Sequence, residues 1–553
     1  MWLSVVTKNP LTRSGDIIHR MESSPQTTAP ASSDNRQIAR AAGTVMIAFV
    51  FSNLFGLAAK MLIANVFGTG MESEAYYAAN RIPEILFNLV AGGALASAFI
   101  PTFTGFLALE QRENAWKLAS SILNLALIIL TVLSALAAIF APQVVRYILA
   151  PGFGIADPAK EALTIHLLRI QLPSAVIFGV SGLLMGILNA HQHFLLPALT
   201  PSMYQIGLIT GLLVLSPRMG VDGLAWGAVL GSALHLALQV PTFLRLPQRK
   251  LSLTLGLKIP AVREVGRLMA PRLLGVAVVQ LNFLLNTYLA SLQPAGSVTG
   301  INLAFPLMIM PQAAIAQSIA TAALPTFSAQ VARGKAEEMR SSLAATLRGV
   351  LLLAVPASLG LVLLRRPLVA ALYQRGNFSA ESTELVAWAL LWYGAGLVGH
   401  CVVEIVARAF YALHDTKTPV MVGVAAMTLN LGFSLLFSAL FTRWGLMPHG
   451  ALALANSLAT FLEMIGLLYL MRRRLHGLEG SRVWKAVVQA GLAVVGMGAG
   501  VGWWLMFSRG FSVYLITLGG VVIGVAIYAV LLIVQRTPEV QWGWNVLRAK
   551  MGR

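Results

Sequence analysis

Long apolar runs alternate with short breaks of charged, Gly or Pro residues along most of the chain, from about residue 43 to about residue 535. A helix crosses the roughly 30 Å hydrocarbon layer with about twenty mainly apolar residues, so each run predicts a membrane-spanning helix. Fourteen are expected, over 43–67, 76–107, 118–142, 160–190, 195–216, 222–244, 265–292, 299–325, 340–364, 384–413, 418–441, 449–471, 485–507 and 512–535. Pro83 and Gly92-Gly93 in the second run, and Pro173 in the fourth, mark kinks or close helix packing. Residues 1–40 break the pattern. Ser23, Ser24, Pro25, Thr27, Thr28, Pro30, Ser32 and Ser33 read as a disordered tail, without the charged and apolar regions of a signal peptide.

The pattern also repeats. Ala98-Phe-Ile-Pro-Thr-Phe-Thr104 recurs as Ala322-Ala-Leu-Pro-Thr-Phe-Ser328 at an offset of 224 residues, and Pro142 to Phe153 resembles Pro367 to Phe378 at 225. An Ala-x6-Pro loop, Ala190 to Pro197, returns as Ala412 to Pro419 at 222. Their shared order points to a duplication, and an offset of six helices, an even number, makes the halves parallel repeats. The expected fold is an all-α polytopic membrane protein of about 14 transmembrane helices: two parallel six-helix lobes, 41–255 and 256–475, plus a C-terminal helix pair and tail, 476–553. Two lobes rocking about a central cavity suggest a transporter.

Composition narrows the solvent and the partners. With 57% hydrophobic and 11% charged residues and a mean hydropathy of +0.75, a soluble multidomain protein is excluded, since that class carries roughly 25% charged residues. The net charge of +19 gathers at helix ends with no aromatic-interleaved stripe, so anionic lipid headgroups rather than nucleic acid are the expected partner. With the N-terminus in the cytoplasm, inside segments hold twenty-five Lys and Arg against eight outside, which predicts both termini cytoplasmic. Arg365 and Arg366 are the clearest exceptions. The single cysteine, Cys401, permits no intrachain disulfide, and His191 and His193 have no third ligand in view. No metal site and no cofactor are expected.

Several motifs carry a resemblance: Ser52 to Gly56 with Phe67-Gly68-x-Gly70, Ala98-Phe-x-Pro101, Ala150-Pro-Gly-Phe153, Gly186-x-Leu-Asn-Ala190 with Phe194 and Pro197, Gly296-Ser-Val298, Leu324-Pro325, and Phe410-Tyr-Ala-Leu-x-Asp415-Thr-Lys-Thr-Pro419. Over roughly 40–535 the chain resembles the MurJ (MviN) family of lipid II flippases, within the multidrug/oligosaccharidyl-lipid/polysaccharide exporter superfamily. The resemblance implies a transporter, not an enzyme. Its cargo would be lipid II, the undecaprenyl-diphosphate-linked disaccharide pentapeptide, carried to the outer leaflet of the bacterial inner membrane in peptidoglycan biosynthesis. It also implies a groove for the prenyl tail on the last helix pair. The family's cavity arginines fall on Asn53, Ala59, Asn88 and Pro306, none of them cationic, while an acidic position is kept as Glu74, a basic one as Arg81, and another acidic one becomes Gly92. Two alternatives stay open, a flippase of another polyprenyl-linked glycan and a non-transporting paralogue. A membrane glycosyltransferase is disfavoured by short outer segments in which Glu72 and Glu74 are nearly the only clustered acids.

A diphosphate needs cationic or N–H donors inside a low-dielectric cavity. Lys60, well inside the first helix, is the leading candidate, because a central membrane Lys costs about 2.5–3.5 kcal/mol and is functional by default. The competing reading is a Lys paired with a carboxylate or snorkelling to an interface. Arg272 in the seventh helix could replace a lost cation, or snorkel. Arg81 and Glu84 share a helix face as a gate or an ion pair, and Glu404 with Arg408, four apart, reads as a structural pair. Glu463 has no near-sequence partner and is a candidate coupling-ion or proton site. Asn53, Asn80 and Asn88 could hydrogen-bond sugars or amides, or join helices at about 0.6 kcal/mol each.

Overall fold

The computed structural model describes residue 48 and residues 51–90 and 94–539. The expected tail over 1–40, the Gly92-Gly93 kink and the chain from 540 onward lie outside these residues. Among them, twelve helices are long and apolar enough to cross a membrane. They are α4 (Arg112–Ile139), α5 (Pro158–Ala190), α6 (Leu195–Met219), α7 (Val221–Leu244), α8 (Pro260–Ser291), α9 (Ser297–Ala332), α10 (Ala336–Tyr373), α11 (Ala380–Ala412), α12 (Lys417–Arg443), α13 (His449–Arg474), α14 (Gly480–Phe507) and α15 (Val513–Val534). Before them come α1 (Phe51–Phe67), α2 (Met71–Val90) and α3 (Ala94–Ala108). Expected spans three to fourteen thus coincide with crossing helices, while the first two run over residues outside the described set. No strand occurs among the described residues. In a solvent without hydrogen-bond donors, a helix satisfies every backbone group within its own segment.

The largest departure from the expected boundaries is α10, which continues nine residues past 364 to Tyr373. The sequence reading stopped at the charges of Arg365 and Arg366. In the structure Arg365 curls back to the Val362 carbonyl at 2.7 Å and Arg366 reaches Glu384 on α11 at 2.8 Å, so both charges are carried without breaking the helix.

Within the first lobe α5 is the hub, packed on α2, α4 and α7, and in the second α11 plays that part against α9, α10 and α13. Helix α8 leaves the first lobe reluctantly. Its opening residues Ala261, Val262 and Val265 are buried with Phe99, Phe103 and Trp116 of the first lobe, whereas its far half reaches α12 through Asn282, which accepts from Asn430 at 2.7 Å. The last pair, α14 and α15, packs on itself and on α10, with the Tyr528 hydroxyl donating to the Leu352 carbonyl at 2.9 Å.

Glycine sets the closest helix approach. A Cβ at Gly207 of α6 would lie 2.1 Å from Gly231 Cα of α7, and one at Gly211 would lie 2.5 Å from Gly227 Cα. Lipid offers no hydrophobic drive for helices to associate, so small residues that let backbones touch supply the contact instead. Gly207→Ala or Gly211→Ala is expected to cost about 1–3 kcal/mol through overpacking. A lowered midpoint of thermal unfolding in detergent would report it. Gly432→Ala, where nothing lies within 4 Å, should leave that midpoint in place.

Candidate functional site

A cavity of about 510 Å³ lies between the lobes. The first lobe lines it with Lys60 of α1, Asn80, Arg81, Glu84 and Asn88 of α2, Ser174 and Phe178 of α5, Tyr204 and Gln205 of α6, and His235 of α7. The second supplies Phe283, Asn286 and Thr287 of α8, Asn302, Phe305 and Pro306 of α9, Tyr393 of α11 and Asn456 of α13.

Arg81 is the central cation and its donors are largely committed. Its Nη1 meets Glu84 at 2.8 Å, Nε donates to Thr287 Oγ1 at 3.3 Å and Nη2 donates to Asn302 Oδ1 at 3.0 Å. The Asn302 amide is itself oriented, since its nitrogen donates to the Val298 carbonyl at 2.8 Å. Arg81 therefore ties α2 to α8 and α9 across the cavity. Lys60 is different: among the described residues its ammonium has no hydrogen bond and no ion pair, and it lies within electrostatic reach of Glu84 and Arg81.

His235 brings a donor that the sequence did not announce. Gln239 Nε2 donates to the His235 carbonyl at 3.1 Å, which fixes the amide orientation, and to Ser181 Oγ at 2.6 Å. Ser181 Oγ and His235 Nδ1 share a further hydrogen bond at 2.6 Å. With the Ser181 hydroxyl as donor, a neutral His235 carries its hydrogen on Nε2, on the ring edge away from Ser181, in a wall shared with Phe178 and Tyr204.

At the end of the bundle that carries the α1–α2 turn, the lobes are clasped. Glu74, on the first turn of α2, pairs with Lys160 on the first turn of α5 and accepts the Val298 N–H at 2.9 Å from the start of α9. Both side chains are buried, and the Lys160 ammonium lies 4.0 Å from the centre of the Phe153 ring. A carboxylate at a helix N-terminus answers its unpaired N–H groups and its dipole. Nearby, Ser73 and Thr299 hydroxyls meet at 3.0 Å, and the Asn377 N–H donates to the Asn65 carbonyl at 2.9 Å. Gly152 and Gly376 permit the closest approaches. A Cβ at the first would lie 2.0 Å from the Ser291 carbonyl oxygen, at the second 2.4 Å from that of Asn65, and Gly376 also takes a φ of +56°. The contacts are reciprocal: Gly152 and Gly376, Asn65 and Ser291, and Ser73 and Thr299 stand 224 to 226 residues apart.

Of the expected site residues, Lys60, Arg81 and Asn88 share the cavity wall. Three others do not. Glu74 is sealed in the clasp, because its carboxylate is the partner of Lys160 and of α9. Arg272 is exposed on α8, and Asn53 is exposed near the start of α1; neither lines the cavity. Glu404 and Arg408 pair at 2.9 Å away from the cavity wall. Glu463 lies on α13 against Gly423 of α12, with no hydrogen bond or ion pair among the described residues. Asp415 of the DTKTP motif is a helix cap: its carboxylate accepts from the Thr418 N–H at 3.0 Å and hydroxyl at 2.8 Å. The Thr418 N–H foremost, then that hydroxyl and Arg474, hold its carboxyl below the usual carboxylate range. Asn286 and Asn302 were overlooked although an amide inside an apolar run was already the signal used for Asn80 and Asn88. Tyr77, Tyr204 and Tyr393, which also line the cavity, gave no signal, since an aromatic in an apolar helix reads as packing.

Two helical lobes around one polar, cation-bearing cavity, clasped at one end and surrounded by lipid-facing helices, define a membrane transporter. The sequence profile of the lipid II flippase MurJ family matches residues 63–521, and the chain belongs to that family. A lipid II flippase MurJ of Burkholderia cenocepacia is 33% identical over 431 residues, 77% of this chain and 83% of that protein. A probable lipid II flippase MurJ of Vibrio cholerae is 29% identical over 506 residues, 88% and 93% of the two chains. Among solved structures, a lipid II flippase MurJ in an inward closed conformation shares the fold at a TM-score of 0.75, with 24% identity over 89% of this chain and 98% of that one. An inward-facing multidrug resistance MATE family transporter of the MOP superfamily shares it at 0.65, with 15% identity over 78% and 96%.

Removing one member of a buried ion pair strands the other, so Glu74→Ala and Lys160→Met should each destabilise the chain by about 3–5 kcal/mol. The double variant should cost less than the two together, as read from unfolding in detergent; strict additivity would mean that the pair is uncoupled. For His235, nitrogen-15 histidine spectra should show one Nε2–H tautomer that becomes a mixture in Ser181→Ala and returns in Ser181→Thr. An unchanged spectrum in Ser181→Ala would remove Ser181 as the residue that sets it.

Proposed function

We propose that this chain flips lipid II, the undecaprenyl-diphosphate-linked peptidoglycan precursor, from the cytoplasmic to the outer leaflet of the bacterial inner membrane by alternating access. Family membership over most of both lobes supports the cargo class. The observation that carries the mechanism is Lys60, whose ammonium lines the cavity without a protein partner among the described residues. A diphosphate supplies the missing acceptors, and a charge-assisted bond in such a site is about twice as strong as a neutral one. Arg81, already bound to Glu84, Thr287 and Asn302, acts mainly by holding the lobes in register around the head group. Asn88 and the Nε2–H of His235 are the neutral groups for sugar or amide oxygens.

The excess of Lys and Arg in the segments assigned inside supports cytoplasmic termini and, with them, a clasp at the outer face. In this arrangement the cavity is cut off from the outer leaflet. Rocking of the two repeated lobes breaks the clasp and turns the same cavity outward, while the prenyl chain stays in lipid.

In a strain depleted of its own lipid II flippase, the chain is expected to restore growth. Normal membrane insertion without growth would overturn the lipid II assignment in favour of another polyprenyl-linked glycan or a non-transporting paralogue. Lys60→Gln should weaken head-group binding about tenfold or more, from the roughly 1.5–3 kcal/mol of a hydrogen bond to a charged group, and abolish complementation. Arg272→Gln, away from the cavity, should complement normally. Equal growth for wild type and Lys60→Gln would take Lys60 out of the site.

A further inference from the structure

The segment that joins the lobes has a pattern of its own. Between α7 and α8, Leu251, Leu253, Leu255 and Leu257 occupy every second position and are 41% to 101% exposed, while the backbone of the residues between them is bonded to α4. Asn124 of α4 donates through Nδ2 to the carbonyls of both Ser252 and Thr254 at 2.9 Å, and Ser120 Oγ accepts the Ser252 N–H at 3.1 Å. A tight turn, Thr254 N–H to the Ser252 carbonyl at 3.0 Å, puts Leu253 at its tip. Gly256, at φ +55°, lies so near α4 that a Cβ would come within 2.1 Å of Ser121 Oγ. The segment is thus pinned by its backbone to Asn124 and Ser120 of α4, with its leucines left exposed. It is not a loose loop.

Depth and charge say what covers that face. Helix α4 opens with Arg112, Glu113, Asn114 and Lys117 and is apolar beyond Asn124. From Ser120 to Phe140 it rises about 30 Å at 1.5 Å per residue, the thickness of the hydrocarbon layer. The linker therefore docks at the level where hydrocarbon begins. From Arg245 to Arg263 the chain holds five cations and no Asp or Glu. The adjacent Glu113 is already paired with Lys117 at 2.7 Å. A row of leucines at the acyl boundary, flanked by Arg249, Lys250 and Lys258, fits the surface of an anionic bilayer.

We propose that residues 249–258 form an in-plane anchor that inserts its leucines below the headgroups and binds anionic phospholipid through the flanking cations. Because this segment is the covalent link between the lobes, the anchor holds their hinge at a fixed depth. The inference does not rest on the identity of the cargo.

Leu253→Cys in the full chain, carrying a spin label and placed one chain per nanodisc, tests it. The native Cys401 is fully buried, so labelling is selective. In discs containing phosphatidylglycerol the label should collide preferentially with oxygen rather than with a water-soluble nickel chelate, in contrast to Asn114→Cys on the charged turn. Each of Arg249→Gln, Lys250→Gln and Lys258→Gln should lower retention of phosphatidylglycerol about fivefold. A label as chelate-accessible as that at Asn114→Cys would overturn the anchor. So would a label shielded from both reagents, which would point to a protein cover, or equal depth and retention in phosphatidylcholine discs, which would remove the anionic selectivity.

Discussion

The structure turns on one buried carboxylate. Glu74 sits where α2, α5 and α9 begin, and it answers three demands at once: the charge of Lys160, the open N-terminus of α9 and the junction between the lobes. In a low-dielectric surround none of these groups has water to fall back on, so each is satisfied only while the others are in place. That dependence makes the end of the bundle a single cooperative unit. Beyond it, most of the cavity's polar side chains take no part in joining the lobes, Arg81 with Thr287 and Asn302 being the exception.

The cavity reflects this division of labour. Arg81 spends its guanidinium on protein partners from three helices, while Lys60 stays open. One cation is committed to protein partners and the other has none among the described residues. The neutral wall of Phe178, Tyr204 and His235 is held in place as well, because Ser181 bonds both the His235 ring and the Gln239 amide. Preorganised donors bind without first reorganising, which suits a site that must release its cargo on the other side of the membrane.

Much of the fold was legible because length and apolarity decide membrane helices almost without reference to tertiary context. Boundaries failed where long cations bend back to the backbone, as at Arg365 on α10. Candidate residues were read less well. Lys60, Arg81 and Asn88, which line the cavity, stood out because a charge or amide in an apolar run is costly and needs a reason. Glu74 was misplaced because its partner, Lys160, is 86 residues away in sequence. Arg272 was misplaced because position along a helix says nothing about which face turns outward. The Ser181–His235–Gln239 chain was invisible for the same reason, since its members come from two helices and only their packing makes them a unit.

The reciprocity of the clasp has a mechanical meaning. Gly152 meets the end of α8 as Gly376 meets the end of α1, and Ser73 faces its own counterpart, Thr299, between them. Two like jaws close about one midpoint, and backbone contacts this tight lose much of their attraction when a gap of half an ångström opens. The closed end behaves as a snap fastener rather than a sliding door, and such a fastener disfavours a half-open passage to both faces of the bilayer.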